Sequence, residues 1–141
     1  IIMKLSPNVT DITEMAKAAE AAGSDAISLI NTITAMKIDI YKRDFALANK
    51  TGGLSGPAIK PVAVRMVYQV ANAVNIPIIG MGGVSNYEDV IEFMMAGATA
   101  VAIGAMNFHN PYATEEAIHG IEHFMEKQGI DDINNIIGCV K

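Results

Sequence analysis

Four short apolar runs, each followed by an amphipathic stretch, constrain the fold of this chain more than any other feature of its sequence. The runs cover residues 1–5, 26–30, 76–80 and 100–103, and none of them alternates strictly between polar and apolar residues. Continuous apolar strands between helices are typical of parallel strands that are buried on both faces. The sequence therefore predicts an α/β protein with four successive βα units.

Helix signals mark the stretches between the runs. Asp11 followed by Glu14 is a capping box, and Pro61 stands in the first turn of a second predicted helix. Ser85 or Asn86 should cap a third helix. A long connection, residues 33–57, interrupts the alternation, and within it 37–40 and 45–48 could pair as a hairpin. We interpret its glycine-rich end, 51–57, as a functional loop.

Four βα units fit either an open doubly wound sheet or half of a TIM-type β/α barrel. A dinucleotide-binding open sheet would carry G-x-G-x-x-G after a strand, and the sequence has no such motif. Barrels commonly bind phosphate after strands seven and eight. Because glycines follow the last two predicted strands, we predict barrel strands five to eight. Residues 1–141 would be the C-terminal half of a β/α barrel domain, and the strand-like start at Ile1, without an initiator Met, suggests a piece of a longer protein.

The residue pairs that carry these glycines are Gly82-Gly83 and Gly104-Ala105. A glycine lacks a Cβ, so its backbone N–H can approach a phosphate closely. A helix that begins near Asn107 would add its positive end. Each pair alone could simply make a tight turn from strand to helix. Their occurrence after two consecutive strands favours phosphate binding.

Polar side chains follow the first two predicted strands. Lys4 should point into the mouth of the barrel and offer a cation to a developing anion, although it could also simply reach solvent. Asn31 offers donors and an acceptor that suit an amide–imide edge, or it could cap the next loop.

Composition excludes several classes of function. The net charge of −5, without a basic cluster, argues against nucleic-acid binding, and the apolar runs are too short to span a bilayer. Cys139 is the single cysteine, which fits a reducing, cytoplasmic setting. His119 and His123 have metal-binding spacing, but without an H-E-x-x-H motif we interpret them as a solvated helix face and predict no metal site.

Five segments, taken in order, resemble class 1 dihydroorotate dehydrogenases. They are KLSPN at 4–8, SLINT at 28–32, GGLSG at 52–56, IGMGG at 79–83 and AIGA at 102–105. The resemblance runs through essentially the whole chain and is closest to the NAD-linked 1B catalytic subunit. It implies oxidation of dihydroorotate to orotate in pyrimidine biosynthesis, with FMN as the hydride acceptor.

The resemblance also implies roles for individual residues. Lys4 would contact the flavin near N1 and O2, and Ile30 would pack on or near the flavin. Asn31 and Thr32 would hydrogen-bond the orotate ring. The remaining FMN contacts would come from backbone groups, mostly to the phosphate, at Gly56, Gly82, Gly83, Gly104 and Ala105. The implied partners are a second copy of the parent protein and an electron-transfer subunit, which carries FAD and an iron–sulfur cluster and passes electrons to NAD.

The family's catalytic base, a Cys on the loop after strand four, has no counterpart in this sequence. Cys139 lies in the C-terminal tail and cannot take that role, so we expect no catalytic residue here and no activity from this chain alone. Two other hypotheses remain open. One is a different FMN barrel, such as the pyrimidine-reducing domain of dihydropyrimidine dehydrogenase, which Asn31 and Thr32 also fit. The other is a non-catalytic half-barrel that binds phosphate or only assembles with itself.

Overall fold

The structure is a computed structural model that describes residues 1–140. Along the chain, its strands and α-helices are β1 (Ile2–Lys4), α1 (Ile12–Ala21), β2 (Ala26–Leu29), β3 (Ile33–Met36), β4 (Ile38–Asp39), β5 (Asp44–Phe45), β6 (Thr51–Leu54), α2 (Lys60–Ala71), β7 (Ile78–Met81), α3 (Tyr87–Met95), β8 (Ala100–Ala102) and α4 (Ala113–Gln128). Short 3-10 turns cover Pro57–Ile59, Ala105–Phe108 and Ile133–Ile136.

The central sheet has the order β1–β2–β7–β8, and all three pairs of neighbouring strands are parallel. Each helix contacts the next, α1 with α2, α2 with α3 and α3 with α4. This arrangement is one arc of a parallel β/α barrel, in which each strand is followed by a helix on the outer side. It confirms the prediction of four βα units and a partial barrel of TIM type.

The core lies between the sheet and these helices. Ile27, Leu29 and Ile78 are almost fully buried. Gly80 is part of the same layer, because a Cβ on it would lie 2.6 Å from the ring of Phe93 on α3. Side chains alternate between the faces of a strand, so the neighbouring positions point to the opposite face, which is more open. Ile79, for example, is only partly buried.

The connection between β2 and α2 contains two antiparallel strand pairs. β4 pairs with β5, with Ile38 opposite Phe45, which confirms the predicted hairpin over a shorter length. β3 pairs with β6, so the interpretation of 51–57 as a loop throughout was wrong. Gly53 explains the pairing, because a Cβ at this position would overlap the side chain of Thr32. The glycine therefore allows the strand to pass close to the end of β2.

The predicted helix near Asn107 was also wrong. A 3-10 turn follows β8, and α4 begins only at Ala113. Pro111 explains the delay, because a proline disfavours helical conformation in the residue before it. That residue, Asn110, accepts a hydrogen bond from the Tyr112 N–H at 3.0 Å and donates one to Glu116 at 2.7 Å, so it ties the loop to the first turn of α4.

Candidate cofactor and substrate cleft

A cleft of about 440 Å³ opens at the carboxyl ends of the four parallel strands. Parallel strands bring these ends to one edge of the sheet, where barrel active sites lie. The nine residues singled out from the sequence all line this cleft, namely Lys4, Ile30, Asn31, Thr32, Gly56, Gly82, Gly83, Gly104 and Ala105. The structure thus brings them together, while the roles assigned to them stay predictions.

The backbone around Gly83 forms a tight wall of the cleft. Gly83 has a φ of +79°, which is unfavourable for any other residue. A Cβ on it would lie 2.8 Å from both the Gly56 carbonyl oxygen and the Lys60 backbone nitrogen. Gly104 differs, since a Cβ there would meet no atom within 4 Å. The first glycine is needed for close packing, and the second leaves open space in front of the backbone.

The segment that carries Asn31 and Thr32 is held by backbone contacts and by Asn8. The Asn31 N–H donates to the Leu5 carbonyl at 3.0 Å. The Asn8 side chain bridges two points of the segment, because its amide nitrogen donates to the Thr32 carbonyl at 3.1 Å and its amide oxygen accepts from the Thr34 N–H at 2.8 Å. We did not single out Asn8 from the sequence, although it belongs to the KLSPN segment.

Lys4 is the last residue of β1 and is paired in register with Ser28. Within residues 1–140, no carboxylate lies within 4.0 Å of its ammonium group, so its charge is not neutralised by an ion pair. An unpaired cation at the mouth of the cleft can stabilise negative charge that develops on a bound molecule.

An ion-pair cluster lies behind the Gly83 wall. The ammonium of Lys60, the first residue of α2, is 2.6 Å from an oxygen of Asp89 and 2.7 Å from an oxygen of Glu92. Hydrogen bonds to these carboxylates raise the pKa of Lys60 above its usual value, and the bond to Asp89 has the larger effect. The second oxygen of Asp89 accepts from the Ser85 N–H at 2.8 Å. The cluster therefore links α2, α3 and the β7–α3 loop.

The cleft also includes residues that the sequence analysis did not single out for it. They include Ser55, Ser85, Phe108 and His109. Two of them flank predicted positions, since Ser55 precedes Gly56 and Ser85 follows the Gly82-Gly83 pair. Proximity to the glycine motifs was the signal that could have found both.

No cysteine or carboxylate lines the cleft in the part of the chain that the structure describes. Cys139 is exposed and lies near the C-terminal end of α3, because the neighbouring Gly138 N–H donates to the Met94 carbonyl at 3.0 Å. The chain enters β8 shortly after that helix end, so Cys139 belongs to the opposite edge of the sheet. On α4, His119 is exposed and its ring nitrogen lies 3.3 Å from Glu122. Across residues 1–140, no helix is both long enough and apolar enough to cross a membrane.

The sheet order, the outer helices and the cleft at the strand ends define a β/α protein of TIM-barrel type. The sequence model of the family "Dihydroorotate dehydrogenase" matches residues 1–125. The chain therefore belongs to the dihydroorotate dehydrogenase family.

Individual relatives agree with this assignment. The chain is 74% identical, over all 141 residues, to the protein named dihydroorotate dehydrogenase B (NAD(+)), catalytic subunit, of Lachnoclostridium phytofermentans, and covers 47% of that protein. It is 65% identical over 138 residues to the Alkaliphilus oremlandii protein of the same name, with 98% of this chain and 46% of that protein covered. The chain thus spans about half the length of the curated relatives it matches.

A solved structure supports the fold alone. The crystal structure of DHODH from Eimeria tenella, determined in complex with ferulenol, matches with a TM-score of 0.80 and 24% sequence identity. The match covers 98% of this chain and 37% of that one.

Proposed function

We propose that this chain is the part of a dihydroorotate dehydrogenase that holds the FMN phosphate and one side of the substrate. The whole enzyme would oxidise dihydroorotate to orotate in the biosynthesis of pyrimidine nucleotides. The observation that carries the proposal is that one cleft is lined by all nine residues for which the family resemblance implies a cofactor or substrate contact. Membership of the family and the names of the relatives support it.

The cleft fits a flavin phosphate. Its volume of about 440 Å³ lies in the range of small-molecule sites. Gly83 has no room for a Cβ because protein backbone packs against it, whereas Gly104 has open space where a Cβ would be, so the backbone of Gly104 can come close to a ligand. The backbone groups of Gly82, Gly83, Gly104 and Ala105 would hold the phosphate, with Gly56 beside them. When bound, FMN would supply the acceptor for the hydride of dihydroorotate.

Side chains at the other end of the cleft would orient the flavin and the substrate. Lys4 would bring its unpaired positive charge to the flavin near N1 and O2, and Ile30 would contact the flavin through its apolar side chain. Asn31 and Thr32 would hydrogen-bond the orotate ring. Removal of a proton from C5 of dihydroorotate needs a positioned base. The family resemblance implies a Cys as this base, and no thiol lines the cleft, so we propose that the base belongs to a part of the enzyme outside the 141 residues.

The names of the relatives suggest partners for the whole enzyme. Both are called the catalytic subunit of an NAD(+)-linked enzyme. We infer an electron-transfer subunit with FAD and an iron–sulfur cluster, and a homodimer of the catalytic subunit, as the family resemblance implies. The single cysteine of the sequence supports the cytoplasm as the location.

The test uses a chimaera in which this chain replaces the matching 47% of the Lachnoclostridium phytofermentans subunit. We expect the purified chimaera to be yellow, to release FMN on denaturation and to reduce dichlorophenolindophenol with dihydroorotate. The unmodified subunit of that organism is the positive control. A chimaera that folds but does not oxidise dihydroorotate would refute the proposed activity.

The same assay on the 141-residue chain with added FMN tests where the base lies. We expect no turnover, because the base that the family resemblance implies, a Cys on the loop after strand four, has no counterpart in these 141 residues. Sustained turnover by this chain alone would show that the base is one of its own residues.

A further inference from the structure

The ion-pair cluster of Lys60, Asp89 and Glu92 has no part in the cofactor and substrate contacts proposed above. None of the three residues lines the cleft. Yet Asp89 is among the few buried polar residues of the described chain, with 7% of its surface exposed. A buried carboxylate is costly unless charged and hydrogen-bonded partners compensate for the lost water, so this position requires an explanation.

Asp89 acts on the cleft through the β7–α3 loop. One carboxylate oxygen accepts from the backbone N–H of Ser85, which lines the cleft, and the other pairs with Lys60. Asn86 caps α3, because its side chain accepts a hydrogen bond from the Asp89 N–H at 2.9 Å. The position of the loop after Gly83 is therefore tied to the start of α3 and to a cation on α2.

Lys60 acts on the same wall from the other side. Its backbone nitrogen and its Cβ lie 2.8 and 2.9 Å from the place where a Cβ on Gly83 would be. The first turn of α2 thus packs directly against the Gly83 backbone. Any displacement of Lys60 changes the surface against which Gly83 rests.

The charges of the cluster argue against a direct role in anion binding. Lys60 is paired with two carboxylates, so the three groups together carry one net negative charge. Such a cluster does not attract a phosphate. A well-packed ion pair that is mostly removed from water often adds little stability compared with apolar residues, and fixing a geometry is one reason for keeping it.

We propose that Lys60 and Asp89 are positioning residues for the cofactor phosphate. Their ion pair holds the β7–α3 loop against the first turn of α2 and so fixes the backbone around Gly83 in its phosphate-binding position. This inference rests on the proposed function, because it takes the phosphate of FMN as the ligand of the Gly83 wall.

The test compares the affinities of FMN and riboflavin, which differ by the phosphate. In the chimaera, Asp89→Ala removes both the ion pair and the acceptor of the Ser85 N–H. We expect it to weaken FMN binding by about tenfold or more, as the loss of a charged hydrogen-bond partner commonly does, and to change riboflavin binding by less than about threefold. Lys60→Met should show the same selectivity with a smaller loss, because Asp89 can still hold Ser85. Fluorescence quenching of either flavin gives the dissociation constants.

Two further variants serve as controls. Glu92→Gln removes a carboxylate that pairs with Lys60 but has no hydrogen bond to the loop, and its side chain is 47% exposed. We expect this variant to leave FMN affinity within about twofold, since exposed ion pairs contribute little. Lys60→Arg keeps the charge and should retain most of the affinity that Lys60→Met loses.

The outcomes separate a positioning role from general destabilisation. Equal losses of FMN and riboflavin affinity would overturn the proposal. It would also be overturned if Asp89→Ala or Lys60→Met bound FMN as tightly as the unmodified chimaera. If Asp89→Ala does not fold, the comparison of Lys60→Met with Lys60→Arg decides it by the same ratio. A chimaera that binds FMN but does not oxidise dihydroorotate would refute the proposed activity, while these ratios would still decide the role of the ion pair.

Discussion

Replacing Gly83 by alanine should destabilise the protein and weaken FMN binding, for two separable reasons. The first is conformational, because the φ of +79° places a non-glycine residue in the left-handed region. The second is steric, because the new Cβ would lie 2.8 Å from the Gly56 oxygen and the Lys60 nitrogen. Both of these atoms belong to the backbone, so they cannot move away as the end of a flexible side chain could.

Gly23 provides a matched control for the conformational part. Its φ of +87° is close to that of Gly83, but a Cβ there would meet no atom within 4 Å. Left-handed conformation costs a non-glycine residue about 1–2 kcal/mol, which should be the whole effect of Gly23→Ala. Gly83→Ala should lose a further ~1–3 kcal/mol through overpacking. The difference between the two variants therefore measures the rigidity of the wall.

Urea unfolding of the FMN-free chimaera measures the free energy of unfolding. A separate titration of the folded chimaera with FMN measures the affinity. We expect Gly83→Ala to lower FMN affinity at least about tenfold, which corresponds to ~1.4 kcal/mol, and Gly23→Ala to leave it unchanged. Equal losses of unfolding free energy in the two variants would mean that the wall yields to the added methyl group. An unchanged FMN affinity in Gly83→Ala would refute the assignment of the phosphate to this wall.

Three further predictions concern charge and hydrogen bonding at the cleft. Lys4→Ala should slow flavin reduction more than it weakens orotate binding, because a cation near N1 stabilises the reduced, anionic flavin most. A normal rate of flavin reduction by dihydroorotate, followed as the loss of flavin absorbance in stopped flow, would contradict this role. Asn8→Ala should raise the KM for dihydroorotate about tenfold at unchanged FMN affinity, since it removes two hydrogen bonds that hold the Asn31–Thr32 segment; a loss of FMN affinity instead would refute the reasoning. The pKa of Lys60 is raised, so its contribution is complete below the ordinary value of 10.5 and is lost only as the pH rises through the higher folded value. FMN affinity should therefore stay level from about pH 7 to 9, and a decline within that range would count against an ion pair of this strength.

The βα units were predictable because their signals are local. Asp11 and Asn86 cap their helices, each accepting a backbone hydrogen bond from the first turn. The capping box itself is not closed in the predicted way, since Asp11 accepts from the Thr13 N–H and not from that of Glu14. The pairing of β3 with β6 was not predictable in this manner. Two glycines in a segment normally argue against a strand, and only the packing of Gly52 on Leu47 and of Gly53 on Thr32 explains them.

The residues of the cleft could be predicted from their positions at the carboxyl ends of the strands, because parallel strands have these ends at one edge of the sheet. These positions could not reveal what holds those residues in place. Asn8 bonds to residues 24 and 26 positions away, and Lys60 bonds to Asp89 at a separation of 29. Contacts at such distances leave no periodic pattern in a sequence. The late start of α4 is a different case, since Pro111 in the sequence already argues against a helix that begins near Asn107.

The two ends of the cleft are held by different physical means, and this difference has a consequence for turnover. At the Gly83 end, backbone atoms pack against each other and a mostly buried ion pair ties the loop to two helices. Lys60 is 28% exposed and also pairs with Glu92, so disrupting its pair with Asp89 should cost less than the ~3–5 kcal/mol that is common for fully buried pairs. At the Asn31 end, the support includes the hydrogen bonds of Asn8, which is exposed, and each contributes only about 1 kcal/mol. We therefore expect the phosphate end to stay rigid while the substrate end adjusts, so that FMN remains bound while dihydroorotate and orotate exchange.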